Sequence, residues 1–161
     1  MKNSLIIDVS PSCSSPEWLP LVEPFIQSVL EDLDICNWEL SVLFCDDPFI
    51  AGLNKQYRNI DSPTDVLSFE QGDEYTDEEG NSLYVAGDII ISLDMLSFNA
   101  SEYGVSKDEE LKRLLIHGIL HLDGYDHDEH IERGKAAQGE MLVLQENLVS
   151  CYTDKIIKDE M

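Results

Sequence analysis

The chain has 161 residues, 43% of them apolar, enough for the core of one ordinary domain and too few for several. It carries 33 acidic residues against 10 basic ones, a formal net charge of −23 at pH 7. That field excludes binding a polyanion through a broad basic face, so any action on nucleic acid must rest on a local site, a metal or a partner protein.

Leu5-Ile6-Ile7 is too short an apolar run for a signal-peptide core, and no stretch approaches the roughly 18 apolar residues of a membrane span. Cys13, Cys36, Cys45 and Cys151 are scattered without a CxxC pair, which reads as buried, reduced thiols in a cytoplasmic protein. No repeat or Pro/Ser-rich linker interrupts the chain, so residues 1–161 read as one domain.

The chain opens with a strand, Leu5 to Val9. A helix is predicted from Pro16, because Trp18, Leu19, Val22, Phe25, Ile26, Val29, Leu30 and Leu33 recur at three- and four-residue intervals. Trp38, Leu40, Val42 and Phe44 alternate as a strand through Cys45. Asp46-Asp47-Pro48 supplies a cap and an early proline for a second helix to about Tyr57. A turn-rich segment, Asn59 to Asp65, leads into a short strand, Val66 to Phe69. Residues 70–82, with six acidic side chains and two glycines, read as a solvated hairpin loop rather than a Ca²⁺ site, whose ligands need regular offsets.

Asp88-Ile89-Ile90-Ile91 is apolar enough for a central strand. Helices follow: Ser92 to Tyr103, stopped by Gly104; Ser106 to about Leu122, opened by a Ser106/Glu109 capping box; and Glu129 to Cys151, with Met141, Leu142, Leu144, Leu148 and Val149 as its apolar stripe. Residues 152–161 read as a polar tail. Strands early and helices late predict an α+β domain, with a small mixed sheet of about four strands packed with helices.

All four histidines lie between positions 117 and 130. His117 and His121 stack one turn apart on a helix, where two imidazoles reach one small ion. At about 100° per residue they lie roughly 110° from the centre of the buried stripe Leu111, Leu115, Gly118, Ile119 and Leu122, beside the core rather than in it. Gly124 offers an exit from the helix, after which His127 supplies a third nitrogen. Three ligands leave the fourth tetrahedral position open to water, the mark of a catalytic rather than a structural zinc. His130 reads as an ordinary helix-start residue. Asp123, Asp126 and Asp128 suit either of two roles, orienting imidazoles or simply being solvated.

The ligand spacing is that of the metzincin pattern H-E-x-x-H-x-x-G-x-x-H, and a metzincin-like site on a late helix and the turn after it is expected. Position 118 is Gly, however, where a zinc protease carries the glutamate that activates water, so a zinc peptidase or amide hydrolase is the weaker alternative. A non-catalytic, zinc-stabilised assembly factor is the other. Met141 invites a Met-turn reading, but its apolar stripe points to core packing.

The segment from Arg113 to His127 resembles the signature of the bacterial YbeY-type rRNA maturation endoribonucleases, whose H-G-x-L-H-L-x-G-Y-D-H is matched at every specified position. Leu53-Asn54, Tyr57-Arg58 and Pro63-Thr64-Asp65-Val66-Leu67-Ser68-Phe69 add a second match, and Gly87 to Ser92 a weaker third. The resemblance implies a single-strand-specific, metal-dependent endoribonuclease acting in 16S rRNA 3′ end maturation and ribosome quality control. It implies one zinc ion on His117, His121 and His127, with Arg58 as the catalytic arginine beside the metal cleft. It further implies as partners RNA (an rRNA precursor) and the assembling small ribosomal subunit with its basic proteins, and neither membrane nor DNA.

Arg58 suits that role physically, since a guanidinium presents paired donors to phosphate oxygens and stays charged. Lys107, Lys112, Arg113, Arg133 and Lys135, with Lys55 and Arg58, are expected to make the cleft locally positive on an acidic body.

Overall fold

The structure, a computed structural model, describes residues 3–125 and 131–158, without side chains at 131–139. Its elements run β1 (Ser4–Val9), α1 (Val22–Asp32), β2 (Trp38–Cys45), α2 (Asp47–Arg58), β3 (Val66–Thr76), β4 (Ser82–Ser92), α3 (Leu93–Tyr103), α4 (Lys107–Leu122) and α5 (Ile131–Cys151). The four strands form one mixed sheet in the order β1-β2-β4-β3. β1, β2 and β4 are parallel, with Ile7 beside Val42 and Val42 beside Ile89. β3 runs antiparallel to β4, pairing Leu67 with Ile90. This is the expected α+β architecture with its mixed four-stranded sheet.

Alternation along the strands sorts apolar side chains to two faces. Leu40, Val42, Phe44, Ile89 and Ile91 join the main core with α1, α4 and α5. Leu43, Leu67 and Ile90 face the other way and cluster with Ile50 and Leu53 of α2. α4 lies against β3 and β4 with α3 and α5 beside it, and is therefore the central helix.

Three sequence expectations need correction. The first helix begins at Val22, preceded by a 3-10 turn at Leu19–Leu21, because Pro24 has no N–H to donate to the carbonyl of residue 20 and an α-helix cannot run unbroken from Pro16. The acidic stretch 70–82 is mostly strand: β3 runs to Thr76, and only 77–81 turn. Cross-strand pairing from Asp73 to Thr76 extends the sheet despite the like charges. The turn is tied by the Asp77 carboxylate, which accepts from the backbone N–H groups of Glu79 and Asn81, and these bonds hold it below the usual carboxylate range. The tail is polar in composition but docked. Ile156 and Ile157 are buried, and both their N–H groups donate to Asp108 Oδ1 at 2.6 and 3.0 Å.

Gly87 allows a close approach that no other residue permits. Its φ is +144°, and a Cβ there would stand 2.0 Å from the backbone oxygen of Phe69. All four cysteines are free, but only Cys45 is buried, and burial pushes its thiol up to about 12; Cys36 and Cys151 are exposed.

Candidate metal centre

α4 starts where Ser106 Oγ accepts from the N–H of Glu109 at 3.0 Å, the cap expected from sequence. From Glu110 to Leu122 every residue is buried except three: Arg113, His117 and His121. These stand at i, i+4 and i+8, so they form one row along the only side of the helix that opens outward. The apolar stripe predicted for α4 is thus narrower than the real one, since Leu114, Ile116 and Leu120 are buried as well.

The helix ends as a Schellman motif. Tyr125 N–H donates to Leu120 O at 3.0 Å and Gly124 N–H to His121 O at 3.1 Å, with Gly124 at φ +100°. Tyr125 packs against the core beneath, which turns the chain back directly beyond His121. His127 and His130, with Asp126 and Asp128, lie outside the described residues. The structure therefore places two of the three proposed ligands on one helical row. Among the described residues no group of three or more His, Cys, Asp or Glu gathers at metal-binding distance.

A polar network lines the floor of the row. His117 Nδ1 meets Gln145 Oε1 at 2.9 Å, and Gln145 Nε2 donates to Glu146 Oε2 at 3.2 Å. Arg113 grips Glu146 with two bonds of 2.8 Å, from Nε and from its terminal nitrogen. The same guanidinium reaches Glu109 at 2.8 Å and Glu110 at 3.4 Å. Asn99 Nδ2 donates to Asp65 Oδ2 at 3.0 Å. Asp65 belongs to the Pro63–Phe69 block and lines the same cavity as Glu110, Arg113 and His117, so the two strongest sequence motifs meet there. Asp65, Glu110, Arg113 and Gln145, with the apolar surfaces of Tyr103, Val105 and Leu114, line a cavity of about 460 Å³ against His117. Burial holds the Glu110 carboxyl above the usual carboxylate range, partly offset by Arg113.

The expected positive cleft is not what the structure shows at two of its cations. Lys112 is 3% exposed. It pairs with Asp108 at 2.9 Å and donates to the carbonyls of Tyr152 and Asp154, so it holds the tail rather than a ligand. Arg113 is occupied by three carboxylates. In so acidic a chain, cations near the core are captured first. Lys55 stands 3.7 Å from Asp61 on the surface. Arg58 ends α2, exposed, and has no ion pair among the described residues.

The turn after Arg58 is built by Asn59 in the left-handed conformation and by buried Asn54, whose Nδ2 donates to Ser62 O at 2.9 Å. Asp123 is an exposed helix-end residue; the partner of His117 is Gln145, which the sequence reading missed. Its signal was present: Gln145 sits with Met141 and Leu148 on the buried side of α5, where an apolar residue is expected. Met141 packs in the core and Leu142 is exposed. At Gly118 a Cβ would meet Ile89 side-chain atoms at 2.8–3.1 Å, so this position faces the sheet and has no room for a peptidase glutamate.

Residues 8–151 match the family model described as Endoribonuclease YbeY. An Endoribonuclease YbeY of Treponema denticola is 61% identical over 131 residues, 81% of each chain. One of Treponema pallidum is 48% identical over 145 residues, 88% of each chain. The solution structure of a Thermotoga maritima protein superposes with a TM-score of 0.62 at 28% identity, covering 91% of this chain and 87% of that one.

Proposed function

The chain belongs to the Endoribonuclease YbeY family, and from that premise we propose that it is a zinc-dependent, single-strand-specific endoribonuclease that matures the 3′ end of 16S rRNA and serves ribosome quality control. The observation that carries the metal-dependent part is the row of half-buried imidazoles, His117 and His121, on a helix that from Leu114 to Leu122 is buried everywhere else. Neutral imidazoles one turn apart suit zinc, and the bond from His117 Nδ1 to Gln145 leaves Nε2 available as a donor. His127, three residues beyond Gly124 in the sequence, is the proposed third donor. A zinc ion there would polarise a phosphoryl oxygen and acidify a water molecule.

The protein's own residues do the rest. Arg58, stably charged and without an ion pair among the described residues, offers two parallel N–H groups to the phosphate under attack and offsets the charge that develops on it. The α4 row gives the scissile phosphate a rigid wall. Because the surface is strongly anionic, RNA is recruited by these local contacts rather than by a basic face, and the same surface suits the basic proteins of an assembling small ribosomal subunit in the cytoplasm. No helix among the described residues is long and apolar enough to cross a membrane.

The test is a single-stranded RNA digest of purified protein before and after chelation, alongside His121→Ala. Cleavage is expected to vanish in both and to return on zinc addition only in the unsubstituted protein. Undiminished cleavage by the variant overturns the reading. A lowered melting temperature on chelation, with no nuclease activity at any point, would instead identify a zinc-stabilised binding factor.

A further inference from the structure

We infer that Gln145 is a positioning residue of the metal centre: its side-chain oxygen fixes the tautomer and the orientation of His117, so that Nε2 faces the ion. This rests on the zinc reading above and adds to it a residue on α5, the helix that packs against the histidine helix.

The argument is one of donor and acceptor capacity. An amide side chain has two ends that look alike, and His117 Nδ1 either donates or accepts. The network removes both ambiguities from its far end. Arg113 is only a donor, and it grips the Glu146 carboxylate with two bonds of 2.8 Å. Glu146 is then an acceptor on both oxygens, and the same contacts hold it below the usual carboxylate range. The Gln145 end that lies 3.2 Å from Glu146 Oε2 must therefore be the NH₂ group. Its oxygen faces His117, so Nδ1 carries the proton and Nε2 keeps its lone pair. A neutral histidine in the other tautomer could not present Nε2 to a cation. Each link admits one arrangement, and the arrangement ends in a metal-ready nitrogen.

Placement supports function over packing. Gln145 is 4% exposed and lies between buried Met141 and Leu148, where an apolar side chain would suffice for the core. A polar group is retained there at the cost of desolvation. The same helix thereby ties the imidazole to a carboxylate that Arg113 holds rigid, and such outer partners raise ligand basicity and limit ring rotation.

The experiment compares Gln145→Leu with Gln145→Glu. Both break the bond to Glu146, but only the leucine removes the acceptor for Nδ1. Zinc affinity is measured by competition with a chromophoric chelator, and site geometry by the visible spectrum of the cobalt-substituted protein. The leucine variant is expected to bind zinc about 10–100-fold more weakly with an altered cobalt spectrum, and the glutamate variant to hold wild-type affinity. Equal binding by Gln145→Leu and wild type overturns the inference, as does an equal loss in both variants. Long-range ¹⁵N–¹H correlation spectra of the unsubstituted protein decide the matter independently, should the leucine variant fail to fold. A protonated Nδ1 on His117 before zinc and coordination through Nε2 after it are expected; the opposite tautomer or Nδ1 coordination overturns it. Wild-type protein that takes up no zinc at all refutes the metal reading itself, a result distinct from any difference between the variants.

Discussion

Arg113 and Arg58 stand in the two strongest motifs of the chain, and the structure treats them in opposite ways. Arg113 lies at the seam of α4 and α5, where Glu109, Glu110 and Glu146 occupy its guanidinium and one of those carboxylates is almost wholly buried. Arg58 lies at the end of α2, exposed and without an ion pair among the described residues, directly before a turn that Asn54 holds in place. In a chain with 33 acidic side chains, pairing is the default fate of a cation, so an exposed arginine without an ion pair among the described residues is the better placed of the two to meet a phosphate. The captured arginine does a different job, offsetting part of the upward shift that burial imposes on the Glu110 carboxyl and tying α4 to α5 through Glu146.

Substitution at each site tests that contrast. Arg113→Met keeps an apolar stem but strips Glu110 of its counter-charge, and is expected to cost about 3–5 kcal/mol of stability at pH 7. Burial already raises the Glu110 carboxyl in the folded state, and losing Arg113 raises it further. A carboxyl with a raised folded value favours the folded state only while protonated, so its penalty is full above that value and fades below it. Thermal melts from pH 7 down to pH 5 should therefore show the deficit of the variant shrinking. A deficit that grows on acidification would show that Glu110 is not the group left exposed to the loss.

Arg58→Ala is expected to lower the single-turnover rate of RNA cleavage by about 10²–10³. Being a surface change, it should move stability by less than about 0.5 kcal/mol. If it destabilises the protein as Arg113→Met does, the contrast between the two arginines collapses. The smallest effect belongs to Gly118→Ala. Helix propensity favours it by up to about 1 kcal/mol, while crowding Ile89 costs about 1–3 kcal/mol. A modest net loss is expected in denaturant melts, with zinc uptake intact, because position 118 faces the sheet and not the row of histidines.

Much of this was legible in the residues. Strand β2 ends where its alternation ends, α3 and α4 begin at their serine caps, and Gly124 closes α4 as the spacing required. Local chemistry decides such features, and local chemistry is written in order along the chain. The β3–β4 arm was misread because a run of like charges argues for a loop, whereas the hydrogen bonds of the partner strand and the Asp77 turn outweigh that repulsion. Lys112 and Arg113 differ from the expected cleft cations because helical neighbours Asp108 and Glu109 pair with them one turn away, and packing then adds the tail carbonyls to Lys112 and Glu146 of α5 to Arg113.

The sequence by itself determined the family, the histidine spacing and the helix that carries it, since periodicity, caps and motif are properties of neighbours along the chain. The tertiary structure alone decided that α4 is buried from Glu110 to Leu122 on all sides but one, that Gln145 lies 2.9 Å from His117 Nδ1, and that Glu146 of another helix holds Arg113. Those outcomes depend on residues some thirty positions apart being brought within hydrogen-bond reach, where burial makes an unpaired charge or donor too costly to keep.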